Sequence, residues 1–281
     1  MKQTIFRTLG VLLLVLSIGL FSWEMFGGYE KIWLPYQNDK IKSQQEQVSA
    51  SDIKENIEKT QNNKQPMLAG KVDEDGNVSG GNNNDGNSSN NQEISDFDEY
   101  GYEVDENGYP ISSDPLINYN VGNLQYSQTP PSHLNTSYVV GLIHVPSVGI
   151  TERIYEGLSN DNLWAGVGTV KPNQRMGERN YAIAGHHMEN PNLMFSPLMN
   201  VQNGQKIYLT DMDKVYEYKI HNIVHVDPSQ GQYMLDSQGN ELVTLIVCTD
   251  PWGSQRRIVQ GKLVKEVPMK QAPENIKKAF N

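Results

Sequence analysis

Apolar residues fall into three regimes along the 281-residue chain. Residues 8 to 23 form an uncharged, mainly apolar run centred on Leu12, Leu13, Leu14, Val15 and Leu16. A bilayer span needs about 17–25 such residues, and including Ile5, Phe6, Met25 and Phe26 brings the run into that range. Lys2 and Arg7 precede it, and Trp23, Phe26 and Tyr29 follow as an interfacial belt would. Bulky side chains stand where a signal peptidase needs small ones, so residues 1–29 are expected to be an uncleaved anchor. The positive N-terminal flank places the N-terminus in the cytoplasm and the remainder outside the cell.

The second regime, residues 30–135, is polar. Ile41, Val48, Ile53 and Ile57 give only a thin apolar stripe, which fits a solvated helix or a loose stalk equally. Residues 80–91 are Gly, Asn, Ser and Asp with almost nothing to bury, which predicts disorder. A short repeat follows, 98–104 against 105–111, too brief for a solenoid.

From residue 138 the pattern becomes short strand-like runs broken by Gly, Pro, Asn and Asp. The runs are 138–145, 151–155, 166–170, 181–185, 206–209, 215–226, 242–248 and 256–264. Alternation is clearest in Tyr216, Tyr218, Ile220, Val224 and Val226 against Glu217, Lys219, His221 and His225. Eight short strands in one domain suggest a mainly β barrel or sandwich. Residues 160–164 and 193–199 are the helix candidates, and 268–281 reads as a polar tail.

Charge sharpens these boundaries. The net charge is −10, yet residues 136–281 hold 14 acidic and 14 basic side chains. The excess lies in the preceding part, where no Lys or Arg occurs between Lys71 and Arg153. Like charges extend such a tether. The absence of a basic stripe argues against nucleic-acid binding.

The candidate chemistry gathers on Cys248, the one cysteine in the chain, at the end of Thr244-Leu245-Ile246-Val247-Cys248. Without a partner for an internal disulfide, a lone Cys serves packing or reactivity. Two further features favour reactivity. Ala184-Gly185-His186 closes one strand-like run, and Arg256-Arg257-Ile258-Val259 opens another. A strand-end thiol, a strand-end imidazole and a strand-start guanidinium are the parts of a thiol acyl-transfer site.

These three motifs, in this order, resemble those of the sortases, cysteine transpeptidases of Gram-positive bacteria, most closely the class A (housekeeping) type. Gly141-Leu142-Ile143-His144-Val145-Pro146, Ile154-Tyr155-Glu156-Gly157 and Gly166-Val167-Gly168 add to the likeness, which covers about the last half of the chain. The resemblance implies an eight-stranded β-barrel with short connecting helices over residues 136–267. It implies Cys248 as nucleophile, His186 as general acid and base, and Arg256 as the group that binds the substrate carbonyl. Thr244, Ala184 and Val247 are implied as substrate contacts. Val247 replaces the family's Thr, which puts a hydroxyl contact to substrate in question. The implied partners are surface proteins with a C-terminal LPXTG-type signal, an amine of the peptidoglycan precursor (lipid II), and the membrane.

Alternatives stand beside each assignment. His187 and Arg257 adjoin His186 and Arg256, and alternation lets only one of each pair face Cys248. The motif selects His186, and counting back from Gly261 selects Arg256. His221 and His225 share a face at spacing four but lack a third metal ligand. No cofactor is expected to be required; Glu152, Glu156, Asp161, Asp227 and Asp236 are too thinly spread for a convincing Ca²⁺ site. A hydrolytic cysteine peptidase, a pilus-polymerising enzyme (Asp114-Pro115-Leu116 partly echoes its lid motif) and an inactive wall-binding module are the competing functions.

Overall fold

The computed structural model describes residues 48–62, 71–72, 78–79, 96–97, 103–104, 136–188, 190–236, 240–250 and 253–281. The expected anchor, the low-complexity run and the Asp114-Pro115-Leu116 segment lie outside the described residues. Among the described residues no helix is long and apolar enough to cross a membrane. Within the linker the described residues form two antiparallel pairs of two-residue strands, Lys71–Val72 with Val78–Ser79 and Asp96–Phe97 with Glu103–Val104.

The neutral part of the chain closes into a barrel of eight strands. They are β1 (Val139–Val145), β2 (Ile150–Tyr155), β3 (Val167–Thr169), β4 (Asn180–Gly185), β5 (Lys206–Thr210), β6 (Lys214–Val226), β7 (Leu242–Cys248) and β8 (Arg256–Pro268). The order around the barrel is β6-β8-β7-β4-β3-β2-β1-β5, with β5 returning to β6. Two neighbouring pairs are parallel, β2 with β3 and β4 with β7; the others are antiparallel. The fold is therefore the mainly β, eight-stranded barrel with short helices that the motifs implied. Closure removes the exposed sheet edges that β-branched strands would otherwise present.

Strand alternation gives the barrel two apolar faces. Inward-pointing Ile143, Ile154, Ile183, Ile207, Leu245 and Val259 fill its interior. On the outside, Ala182 and Ala184 of β4, Ile246 of β7 and Ile258 of β8 form a second buried layer. It is covered by Leu158, by Leu163 of helix α2 (Asn160–Ala165) and by Val170. The β6 alternation seen in sequence does not stay on one face. A bulge between Ile220 and Asn222 inserts one residue, so Tyr216, Tyr218 and Ile220 face the interior while Val224 and Val226 join the outer layer. An extra residue in one strand moves every later side chain to the other face.

Three segments depart from the linear reading. Of 193–199, only a single-turn 3₁₀ helix forms, Ser196–Asn200; Pro197 at its start and Met194 with φ near +51° do not continue a helix in from 193. The 268–281 stretch is folded rather than a free polar tail. Helix α3 (Glu274–Phe280) buries Ile276 and Phe280 against Tyr208 and Val215. Four of its residues are charged or amide, which hid the two that matter. Over residues 50–62 the stretch is helix α1 (Ala50–Asn62), docked on β1 rather than solvated all round. Ile53 is 1% exposed, a burial that contributes about 1.5–3 kcal/mol. Asn56 Nδ2 donates to the carbonyls of Thr136 and Val139, both at 3.0 Å, at the entrance to the barrel.

Candidate active site

The three sequence-predicted chemical residues converge because three adjacent strands end together. The parallel β4–β7 ladder has Gly185 opposite Val247 as its last rung, so His186 and Cys248 are the next position on each strand. In the antiparallel β7–β8 ladder Cys248 stands directly opposite Arg256. Side chains at paired positions share a face. Thr244, Ile246 and Cys248 lie on the outer face of β7, as Ala182 and Ala184 do on β4 and Ile258 on β8. The site thus sits on the outside of the barrel, at one end of the layer covered by Leu158, Leu163 and Tyr233.

All three groups are buried, with exposures of 5% for Cys248, 2% for His186 and 7% for Arg256. Burial pushes the Cys248 thiol above its ordinary range; the Arg256 guanidinium pulls it back and Asp250 adds to the rise. Burial also drives His186 down to about 4. At neutral pH the resting pair is a thiol beside a neutral imidazole, because low-dielectric surroundings disfavour both charged forms. Arg256 is aimed by its own loop: its Nη1 donates to the Gly253 carbonyl at 2.9 Å. Gly253 has φ of +75°, and a Cβ there would meet Arg256 Nη1 at 3.4 Å and Cys248 Sγ at 3.8 Å. Only glycine adopts that backbone without strain.

Gly185 of the Ala184-Gly185-His186 motif has a packing reason. A Cβ there would come within 2.8 Å of Val167 Cγ1 and 2.9 Å of the Phe195 ring. Phe195 in turn holds the strand end, its N–H donating to the His186 carbonyl at 3.1 Å.

The expected substrate contacts separate by face. Ala184 is fully buried in the outer layer beneath Leu158 and Leu163. Thr244 lies on that face too, but its hydroxyl is committed. It donates to Asn180 Oδ1 at 2.7 Å and accepts from Gln260 Nε2 at 3.1 Å. Val247 is corrected outright. It belongs to the barrel interior with no exposure, on the opposite face of β7 from Cys248. Alternation along the strand turns it inward, where an apolar side chain suits the site.

The sequence reading missed the residues that build the wall beside this face. Asn180 Nδ2 donates to the carbonyls of Tyr233 and Leu235, at 2.8 and 2.9 Å, tying the β6–β7 loop to the start of β4. Lys171 Nζ donates to the Asn180 carbonyl and pairs with Asp236, which also meets Arg179 at 3.4 Å. Asp236 was a calcium candidate; a buried ammonium holds it instead. His225 Nε2 accepts from Arg257 Nη1 at 2.9 Å, so that His is engaged across β6 and β8. His187 was weighed only as a rival to His186, yet its Nδ1 lies 2.7 Å from the Cys248 carbonyl oxygen. The doubled His186-His187 was the one visible signal; the loop anchors are dispersed in sequence and left none.

The same half of the chain is similar to known proteins. The profile of the Sortase domain matches residues 143–264. The chain is 42% identical over 148 residues to Sortase A of Streptococcus agalactiae, covering 51% of this chain and 60% of that protein. It is 34% identical over 96 residues to the putative sortase YwpE of Bacillus subtilis, covering 34% of this chain and 93% of that protein. The crystal structure of Listeria monocytogenes sortase A shares 33% identity at a TM-score of 0.48, over 51% of this chain and 97% of that one. The chain spans about three fifths of the length of the Sortase A proteins it matches.

Proposed function

The chain belongs to the sortase family, and from that premise we propose that it is a membrane-anchored cysteine transpeptidase of the class A type. The observation that carries the reading is the convergence of Cys248, His186 and Arg256 at the ends of three adjacent strands. A peptide that reaches the strand ends brings its scissile carbonyl to Cys248. The thiol gives its proton to the neutral His186 imidazole as sulfur bonds to the carbonyl carbon. Arg256, fixed by Gly253, supplies N–H donors to the developing oxyanion. The C–N bond then breaks, the departing amine takes the proton from His186, and a thioacyl-enzyme remains. An incoming amine loses a proton to His186, attacks the thioester and forms a new amide, and the thiolate recovers that proton.

The substrate we propose is a surface protein with an LPXTG-type signal, cut between Thr and Gly, and the acceptor an amine of the peptidoglycan precursor. An anchor over residues 1–29 would place the site outside the cell, near both. The test uses the full chain in non-ionic detergent, a quenched LPXTG-type peptide, an oligoglycine amine, and Cys248→Ala alongside. Amine-dependent ligation that is lost in the variant is the expected result. Cleavage without ligation would make the enzyme a hydrolase, and neither reaction, with Cys248 inert to alkylation, would overturn the catalytic reading.

A further inference from the structure

We infer that His187 is a positioning residue, whose imidazole locks the backbone of the nucleophile to the strand end that carries the general base. The inference rests on the cysteine-transpeptidase reading above and deepens it. A carbonyl oxygen only accepts, so the contact between His187 Nδ1 and the Cys248 carbonyl, 2.7 Å, requires a proton on Nδ1.

Its position gives the bond its significance. The regular β4–β7 ladder stops at Gly185 and Val247, one residue short of both reacting groups. His187 supplies a side-chain rung just beyond that end. The same peptide unit is held from its other side, where the Thr249 N–H donates to the Gln255 carbonyl at 3.0 Å. The plane that follows Cys248 is therefore pinned by one bond to the His-bearing strand end and another to the Arg-bearing loop.

His187 is itself firmly seated. It forms an isolated bridge with Met194, and the Met188 N–H donates to Ser196 Oγ at 2.7 Å. Two neighbouring histidines thus serve one cysteine in different ways. His186 stands level with its side chain on the strand face, and His187 grips its main chain. A reacting group misplaced by about 1 Å can cost on the order of 100-fold in rate, so losing the outer rung falls on turnover rather than on peptide binding.

The experiment compares the full chain with His187→Ala, His187→Asn and His187→Leu in the ligation assay, with thermal unfolding of each. Asn places a donor near the former Nδ1, whereas Leu fills the space and donates nothing. We expect kcat to fall about 10- to 100-fold in His187→Ala and His187→Leu with KM unchanged. His187→Asn should recover to within about 3-fold of the parent, as a retained donor keeps the rung. Equal kcat in all four proteins, with the parent active, would overturn the inference while leaving the proposed function intact. A loss that follows the unfolding temperature of each variant, or loss in His187→Asn as deep as in Cys248→Ala, would also overturn it, by making the residue merely structural or directly catalytic. An inactive parent would instead count against the proposed function.

Discussion

The burial of His186 predicts an acid-sensitive fold. Its folded pKa of about 4 lies below the ordinary 6.5. The unfolded chain therefore binds more protons between these values, and stability rises with pH across that window. Stated the other way, stability is complete above about 6.5 and is lost as pH falls toward 4. The full difference amounts to about 3 kcal/mol at 1.36 kcal/mol per unit, of which about 2 kcal/mol is lost between pH 7 and pH 5. The perturbation is His186→Gln, which is neutral throughout. The assay is reversible unfolding of the full chain in detergent at pH 7, 6, 5 and 4.5, for parent and variant together. His144 is also shifted down by burial and Asp52 and Asp227 by hydrogen bonds, so the raw slope mixes several groups. The parent-minus-variant difference isolates His186. The parent should lose about 2 kcal/mol more than the variant from pH 7 to 5, about 5 °C in midpoint for a domain of this size. Parallel curves for the two proteins would show that His186 is solvated or charged in the fold, and the neutral resting pair would fall with it.

Two further tests address the supports of the site. Lys171→Met leaves Asp236, its side chain 10% exposed, with only an exposed, longer-range Arg179; breaking one side of such a pair costs about 3 kcal/mol. Pairing it with Asp236→Leu should restore most of that in denaturant titrations, and failure to recover would mean the charges act through another partner. Phe280→Ala removes the aromatic that caps Tyr208 and stands edge-on to His144, ring centroids 6.1 Å apart. A core aromatic costs about 3–5 kcal/mol, and a loss near the lower end of that range with kcat unchanged is expected. No change in stability would return 268–281 to the status of a loose tail.

Much of the catalytic domain was legible because strand signals are local. β-branched runs bounded by turn residues marked all eight strands to within a few residues, and three strand-end motifs marked Cys248, His186 and Arg256. Face was the recurrent failure. The bulge between Ile220 and Asn222 divides β6 between two cores, and nothing in the alternation of side chains announces the extra residue. The resemblance implies Val247 as a substrate contact because it stands at the family's Thr, although a period of two already sets it on the opposite face from Cys248.

What the sequence determined by itself was chemical identity and strand content: a single thiol, its imidazole and guanidinium companions, and apolar runs of strand length. What only the tertiary structure decided was which groups share a surface. Barrel closure and strand order put β4, β7 and β8 side by side. That order brings residues 186, 248 and 256 to one end and sets His187 against the Cys248 carbonyl. It also docks Ile53, Ile276 and Phe280 from segments that look polar, since one or two apolar side chains suffice when the barrel already offers the matching surface. Such juxtapositions depend on pairing between residues tens of positions apart, and no local pattern encodes them.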